Sequence, residues 1–393
     1  MRRVEKKMYW PINAVLFNLC KLFPFRDKRI WIFGAWEGEK YDDNSRYLYE
    51  YVNSCYNDQI HTIWLSEKKD IVENVRQTGG EAYLSNSRLG KWFSLRAGVV
   101  IYSHGLMDFG TIPFVGGAKV VSLWHGVGFK KIYNDNYHGW KLKTKKLFDK
   151  FFSWTYRDLT IVTSIYVKSQ FSSIFGLNSS DAIAFCGQPR NDIFKKSLIK
   201  KNDFVGLNID CKKKWVIYMP TYRGKGLGDN AMSCIVKRLY ESKRLYEVLR
   251  DENCIFIVKL HPLTPHINLE RRDNFLILDY GDVESNQELL GISDILITDY
   301  SSCCVDFALL NRPIIFYQPD EEEFMSKSEP LYEELIDVLH TNRCSTPEEL
   351  AEKIANPSLE VVQRLNDVFE DESIRDTCYS ENVYKAICKE FEI

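Results

Sequence analysis

The chain has 393 residues, with 52 Lys plus Arg against 54 Asp plus Glu, a formal charge of -2. That balance excludes a protein held on nucleic acid by bulk positive charge. At 45% hydrophobic and 27% charged, with 21 Gly and 12 Pro scattered, the chain is globular and has room for two or three domains.

Residues 1–28 form a basic, aromatic opening segment. Arg2, Arg3, Lys6, Lys7, Lys21, Arg26 and Lys28 alternate with Trp10, Phe17, Phe23 and Phe25. This mixture suits a helix lying flat on an anionic membrane surface, and equally a helix packed on its own domain. No stretch approaches the ~20 apolar residues of a membrane span, and the run from Met8 to Cys20 lacks the cleavage site of a signal peptide.

Next, 29–34 reads as a buried strand stopped by glycine, and Asn44 as the cap of a helix running to about 56. Strands are expected over 61–65, 81–84, 98–102 and 119–124, with helices over 67–78 and 86–96. Residues 138–158 are again basic and aromatic. Lys141, Lys143, Lys145, Lys146, Lys150 and Arg157 accompany Trp140, Phe148, Phe151, Phe152 and Trp154. They suggest a second interfacial helix, against a solvated basic helix with its aromatics inside. The turn-rich run Gly187-Gln-Pro-Arg-Asn-Asp192 follows as a linker.

The alternation then restarts. Strands are expected over 212–219, 254–260, 275–278, 295–298 and 313–317, and helices over 230–250, 284–291 and 301–310. This pattern predicts an α/β chain with two parallel sheets facing a central cleft. The domains are drawn at 29–186 and 187–375, followed by a C-terminal segment 376–393. Eleven cysteines, odd in number and without C-x-x-C or zinc spacing, read as reduced thiols of a cytosolic protein.

Ligands of open parallel sheets bind beyond the carboxyl ends of strands. Four polar clusters fall there. The first is Ser122-Leu-Trp-His125-Gly-Val-Gly-Phe-Lys130-Lys131, where a histidine opens a glycine-containing loop and two lysines follow. The second is Pro220-Thr221-Tyr-Arg223, whose guanidinium fork fits phosphate oxygens. The third is Lys259-Leu-His261-Pro. The fourth is Thr298-Asp299-Tyr-Ser301-Ser302, before a helix holding Asp306; it pairs hydroxyl donors with a helix start. Each alone also reads as an ordinary turn, a satisfied histidine or a helix cap. Together they point to a phosphate-rich ligand.

These motifs resemble those of the CDP-glycerol:glycerophosphotransferase family, which builds teichoic acids and related phosphate-linked polymers. His125-Gly with Lys130 resembles a His-Gly-Thr-Pro-Leu-Lys element. Gly187-Gln-Pro-Arg190-Asn-Asp192, Pro220-Thr-Tyr-Arg223 and Leu296-Ile-Thr-Asp-Tyr-Ser-Ser302 resemble three further elements in the same order. Val127-Gly128-Phe129 departs from Thr-Pro-Leu, and Gly128 should loosen the loop.

The resemblance implies a GT-B fold of two Rossmann-like domains, with 376–393 crossing back onto the first. A CDP-glycerol or CDP-ribitol donor would bind the C-terminal domain through Arg190, Thr221, Arg223, Asp299, Ser301 and Ser302, with Asp306 on the ribose. A lipid-linked saccharide or polymer acceptor would meet Lys130 and Lys131 on the N-terminal domain, with His125 as base and His261 assisting. No cofactor or metal is required by the sequence, and no nucleic acid is expected. The setting implied is the cytoplasmic face of the cell membrane, for teichoic acid or capsule synthesis. A GT-B glycosyltransferase using a nucleotide sugar and an inactive membrane-bound assembly partner are the alternatives.

Overall fold

The structure, a computed structural model, describes residues 10–393 except 153–156, 178–181, 196–199, 208, 225–226, 229, 284 and 329. Arg2, Arg3, Lys6, Lys7 and Trp154 lie outside the described residues, as do the side chains of Trp10, Phe148, Lys150, Phe151 and Phe152. The chain divides into two units. The first holds the chain up to Gly126 with Tyr133–Asp192 and Glu370–Ile393; the second holds Val127–Ile132 and Ile193–Phe369.

The first unit is built on seven strands: β1 Asp27–Gly34, β2 His61–Ser66, β3 Ala82–Leu84, β4 Ala97–Tyr102, β5 Lys119–Ser122, β6 Leu159–Val162 and β7 Ala182–Phe185. Their order is β3-β2-β1-β4-β5-β6-β7, and every pairing is parallel. Strands covered on both faces become continuous apolar runs, which is why Ile-Trp-Ile-Phe and Val-Val-Ile-Tyr were legible. β6 and β7 were missed; four residues each is too short for a pattern to declare itself.

Helix α1 spans Trp10–Cys20, α2 Asp43–Cys55 and α3 Gly139–Phe152. The C-terminal helix Tyr379–Phe391 inserts Val383, Tyr384, Ile387 and Phe391 into the core that holds Trp31, Phe33, Tyr49 and Trp64. Tyr384 stacks on Tyr56 at 3.8 Å.

The unit boundaries differ from the expected 186/187 and 375/376. The linker stretch 187–192 stays in the first unit because the Asp192 carboxylate accepts from Tyr379 N at 2.7 Å and Ser380 N at 2.8 Å. The turn Pro189–Asn191 also packs on α2.

The second unit holds six parallel strands: β8 Lys214–Tyr218, β9 Cys254–Lys259, β10 Phe275–Leu278, β11 Ile295–Thr298, β12 Ile314–Tyr317 and β13 Arg343–Cys344. Their order is β10-β9-β8-β11-β12-β13. The helix expected over 230–250 is two, Ala231–Glu241 and Lys243–Asp251. Ser242 breaks it by turning to an extended conformation, where its Oγ accepts from Leu245 N and caps the second helix.

Candidate active site

In the first sheet, strand order reverses between β1 and β4. Neighbouring carboxyl ends at such a point diverge and leave room for a ligand. Two His-Gly pairs sit at that end of the sheet: His104-Gly105 follows β4 and His125-Gly126 follows β5. The two imidazoles are stacked face to face, with centroids 4.4 Å apart and planes 3° apart. Trp124 flanks His125 at 4.2 Å. The Trp124 backbone takes φ 57°, a costly turn for a bulky residue that aims His125 out of the strand.

His125 Nδ1 lies 3.2 Å from the Ser103 carbonyl. A carbonyl oxygen only accepts, so Nδ1 carries the hydrogen and Nε2 keeps the lone pair. His125 is an exposed residue, yet protein crowds its imidazole. That lost hydration holds its pKa below the ordinary value; Asp43 and the Ser103 carbonyl oppose the shift and Arg190 adds to it. The ring is therefore neutral at pH 7.

Asp43 and Arg190 are the charges that act on it. Asp43 is buried, begins α2 with φ 65°, and meets Arg190 Nη1 at 2.9 Å through Oδ1. Arg190 Nη1 also donates to the His125 carbonyl at 3.1 Å. Asn44 was expected to cap α2. Instead its Nδ2 donates to the Trp124 carbonyl at 2.8 Å and its Oδ1 accepts from Arg190 N. Arg190, expected as a donor-phosphate ligand, thus joins the His125 cluster in the first unit through Asp43 and the His125 carbonyl.

Sequence reasoning missed His104, Asp43 and Asp108. The Asp108 carboxylate accepts from Ser103 N, His104 N and Glu37 N, which fixes the loop after β4. The available signal was the repeat of His-Gly after two adjacent apolar strands.

In the second sheet the order reverses between β8 and β11. Thr221 and Arg223 follow β8, and Asp299 follows β11. Asp299 is fully buried and accepts from Thr221 N at 2.9 Å, Thr221 Oγ1 at 2.6 Å and Tyr300 N at 2.5 Å. Arg223 is 2% exposed. Its Nη1 meets Asp299 Oδ2 at 2.7 Å, and its Nε and Nη2 grip Asp320 at 2.7 and 3.1 Å. Burial works against the charge, but Asp299 and Asp320 hold the guanidinium pKa above its ordinary value. Arg223 and Asp299 therefore clamp three loop ends together and do not present a phosphate fork, contrary to the expectation.

Ser301 and Ser302 lie at the start of a short helix, α4 Cys303–Ala308, and both are partly accessible. Ser301 Oγ accepts from Cys303 N at 3.4 Å, and Ser302 makes no side-chain cap. Asp306 is buried and accepts from Gln287 Nε2 at 3.3 Å. That burial removes it from the expected ribose contact.

His261 follows β9, with its Nδ1 accepting from Leu263 N at 3.2 Å, so Nε2–H is its donor. It stacks on Tyr222 at 5.4 Å. Burial, and then Lys130, lower its pKa to about 4. Lys130 and Lys131 were expected on the acceptor side. Both fall in the second unit, because Val127–Ile132 is anchored there. Val127 and Phe129 are buried, Phe129 packs on Phe369, and Lys131 N donates to the Pro330 carbonyl at 2.8 Å. Gly128 therefore sits in a pinned segment.

Two Rossmann-like parallel sheets in one chain, each with imidazole and hydroxyl groups gathered at strand ends, are a GT-B architecture. The chain belongs to the CDP-glycerol:poly(glycerophosphate) glycerophosphotransferase family, whose model matches residues 15–389. It is 30% identical to the teichoic acid poly(glycerol phosphate) polymerase of Bacillus spizizenii over 82% of this chain and 81% of the relative. It is 31% identical to the teichoic acid poly(ribitol-phosphate) polymerase of the same organism, over 55% of this chain and 34% of that one. A solved structure of the wall teichoic acid polymerase TagF aligns with a TM-score of 0.77 at 21% identity, covering 100% of this chain and 98% of that chain.

Proposed function

We propose that the chain transfers an alditol-phosphate, glycerol-phosphate or ribitol-phosphate, from a CDP-alditol to a hydroxyl of a lipid-linked saccharide or growing polymer, and releases CMP. The observation that carries this reading is the His125 tautomer: Nδ1–H is tied to Ser103 O, which leaves a neutral Nε2 lone pair. The acceptor O–H gives its proton to His125 Nε2. The oxygen bonds the β-phosphorus, and the bond from that phosphorus to the bridging oxygen breaks, so that CMP departs with the electron pair. Such transfers need chiefly positioning and charge stabilisation. In the second unit, His261 Nε2–H and the hydroxyls of Ser301 and Ser302 serve as hydrogen-bond donors to the donor's phosphate oxygens, with Lys130 charge beside them. Thr221, Arg223 and Asp299 hold the frame for those donors.

The acceptor end is proposed to work at a membrane surface. α1 buries Ala14, Phe17 and Cys20 on one side and exposes Ile12, Val15 and Leu19 on the other. Leu22 and Phe25 just beyond it are 78% and 70% exposed. α3 packs beside α1 and exposes Trp140 and Leu147, each at 71%, next to the exposed Lys141, Lys143 and Lys146. Apolar side chains facing water beside lysines suit an anionic lipid surface. No helix among the described residues is long and apolar enough to cross a membrane.

A donor panel with a synthetic lipid-linked disaccharide tests the transfer. CMP should form from CDP-glycerol or CDP-ribitol with a matching gain in product mass. Turnover of nucleotide sugars alone would replace this reading with the glycosyltransferase one.

A further inference from the structure

We propose that His104 is the positioning residue of the catalytic base: its imidazole serves as a rigid plate that fixes the His125 ring and keeps water from its inner face. The inference rests on the reading of His125 as base and assigns a role that reading does not need. Three contacts fix the plate itself. Trp36 N donates to His104 Nδ1 at 3.2 Å, which leaves the hydrogen on Nε2. That Nε2 lies 3.8 Å from Asp43 Oδ2. The Trp36 ring packs on His104 at 4.6 Å, tilted by 44°. Ring neighbours therefore run Trp36, His104, His125, Trp124, each centroid within 4.6 Å of the next, with the imidazoles parallel and both indoles tilted against them. A ring held between two others loses the rotation about its side-chain bonds that would swing Nε2 off line. Orientation is the costly part of a transfer of this kind.

The plate must also stay uncharged, since two stacked imidazolium ions would repel. Burial first, then His125, lower the His104 pKa to about 3, with Asp43 opposing. When His125 takes the acceptor proton, the pair thus holds a single charge. The charged and titratable groups facing His125 are Asp43 from the start of α2, Arg190 from the turn 189–191 and His104 itself. Asp108 lies behind His104, 3.9 Å from its Nδ1.

The test compares His104→Ala and His104→Phe in the full chain, read as the pH dependence of kcat/KM with the best CDP-alditol. His104→Ala opens the inner face to water. The acid limb should move up towards the ordinary histidine value near 6.5, and the plateau should fall by about tenfold or more through lost orientation. His104→Phe keeps a flat, dry plate without titratable nitrogens. Its limb should stay below 6.5, and its plateau should recover most of the loss. Equal damage from both variants with no shift of the limb would show a merely structural role and overturn the proposal. So would His104→Ala matching the parent at every pH. His125→Ala in the same series separates the two claims. If that variant keeps full turnover, the base assignment fails, whatever His104 does.

Discussion

Replacing Arg223 by Met should destabilise the second unit before it touches chemistry. The substitution keeps much of the side-chain volume but strips the cation that Asp299 and Asp320 hold in a region where Arg223 is 2% exposed. Removing one member of a buried ion pair costs about 3–5 kcal/mol, because the partner charge is left without compensation. For a unit of 150–250 residues each kcal/mol moves the midpoint by about 2–4 °C, so a fall of roughly 6–20 °C is expected. Thermal unfolding followed by circular dichroism, with urea unfolding as a check on slope, reads it directly. Adding Asp299→Asn to Arg223→Met should recover part of the loss, since it removes a stranded carboxylate. A midpoint within about 2 °C of the parent, accompanied by lost CDP-alditol affinity, would refute the clamp and restore Arg223 as a phosphate ligand.

His125→Ala should lower kcat by about 10²–10⁴ while donor affinity stays near the parent value, measured by single turnover and equilibrium binding. The acid limb of kcat/KM should lie below pH 6.5 in the parent. The lowered His125 pKa keeps the base neutral, and activity falls only as pH drops through it. Arg190→Met takes away a nearby positive charge and leaves Asp43 unopposed, so that limb should move to higher pH. Flotation with anionic liposomes should capture the chain, and Leu19→Glu with Leu22→Glu should reduce capture several-fold; equal flotation with neutral lipid would count against the lysine contribution.

Much of the fold was legible because parallel strands buried on both faces spell unbroken apolar runs. Ile-Trp-Ile-Phe in β1, Val-Val-Ile-Tyr in β4 and Cys-Ile-Phe-Ile-Val in β9 are such runs. What failed was short or long-range. β6, β7 and β13 have two to four residues, too few for periodicity. The site was legible as residue types at strand ends and not as pairings. The Pro-Thr-Tyr-Arg motif announces a guanidinium, but whether it faces phosphate or carboxylate depends on Asp320, 97 residues away. Arg190 likewise meets Asp43 across 147 positions. His104 escaped notice because one histidine after a strand is common. Its meaning comes from the second imidazole, which only the adjacency of β4 and β5 brings alongside.

The mechanism stands on attack at the β-phosphorus with His125 as base. A CDP-alditol carrying labelled phosphorus at the β position follows the bond that breaks. The label should appear in the acceptor product, attached to the alditol, with unlabelled CMP released in equal amount and both signals lost in His125→Ala. Label retained in a released CDP would mean that the carbon–oxygen bond is cut instead, and the account would be wrong at its centre.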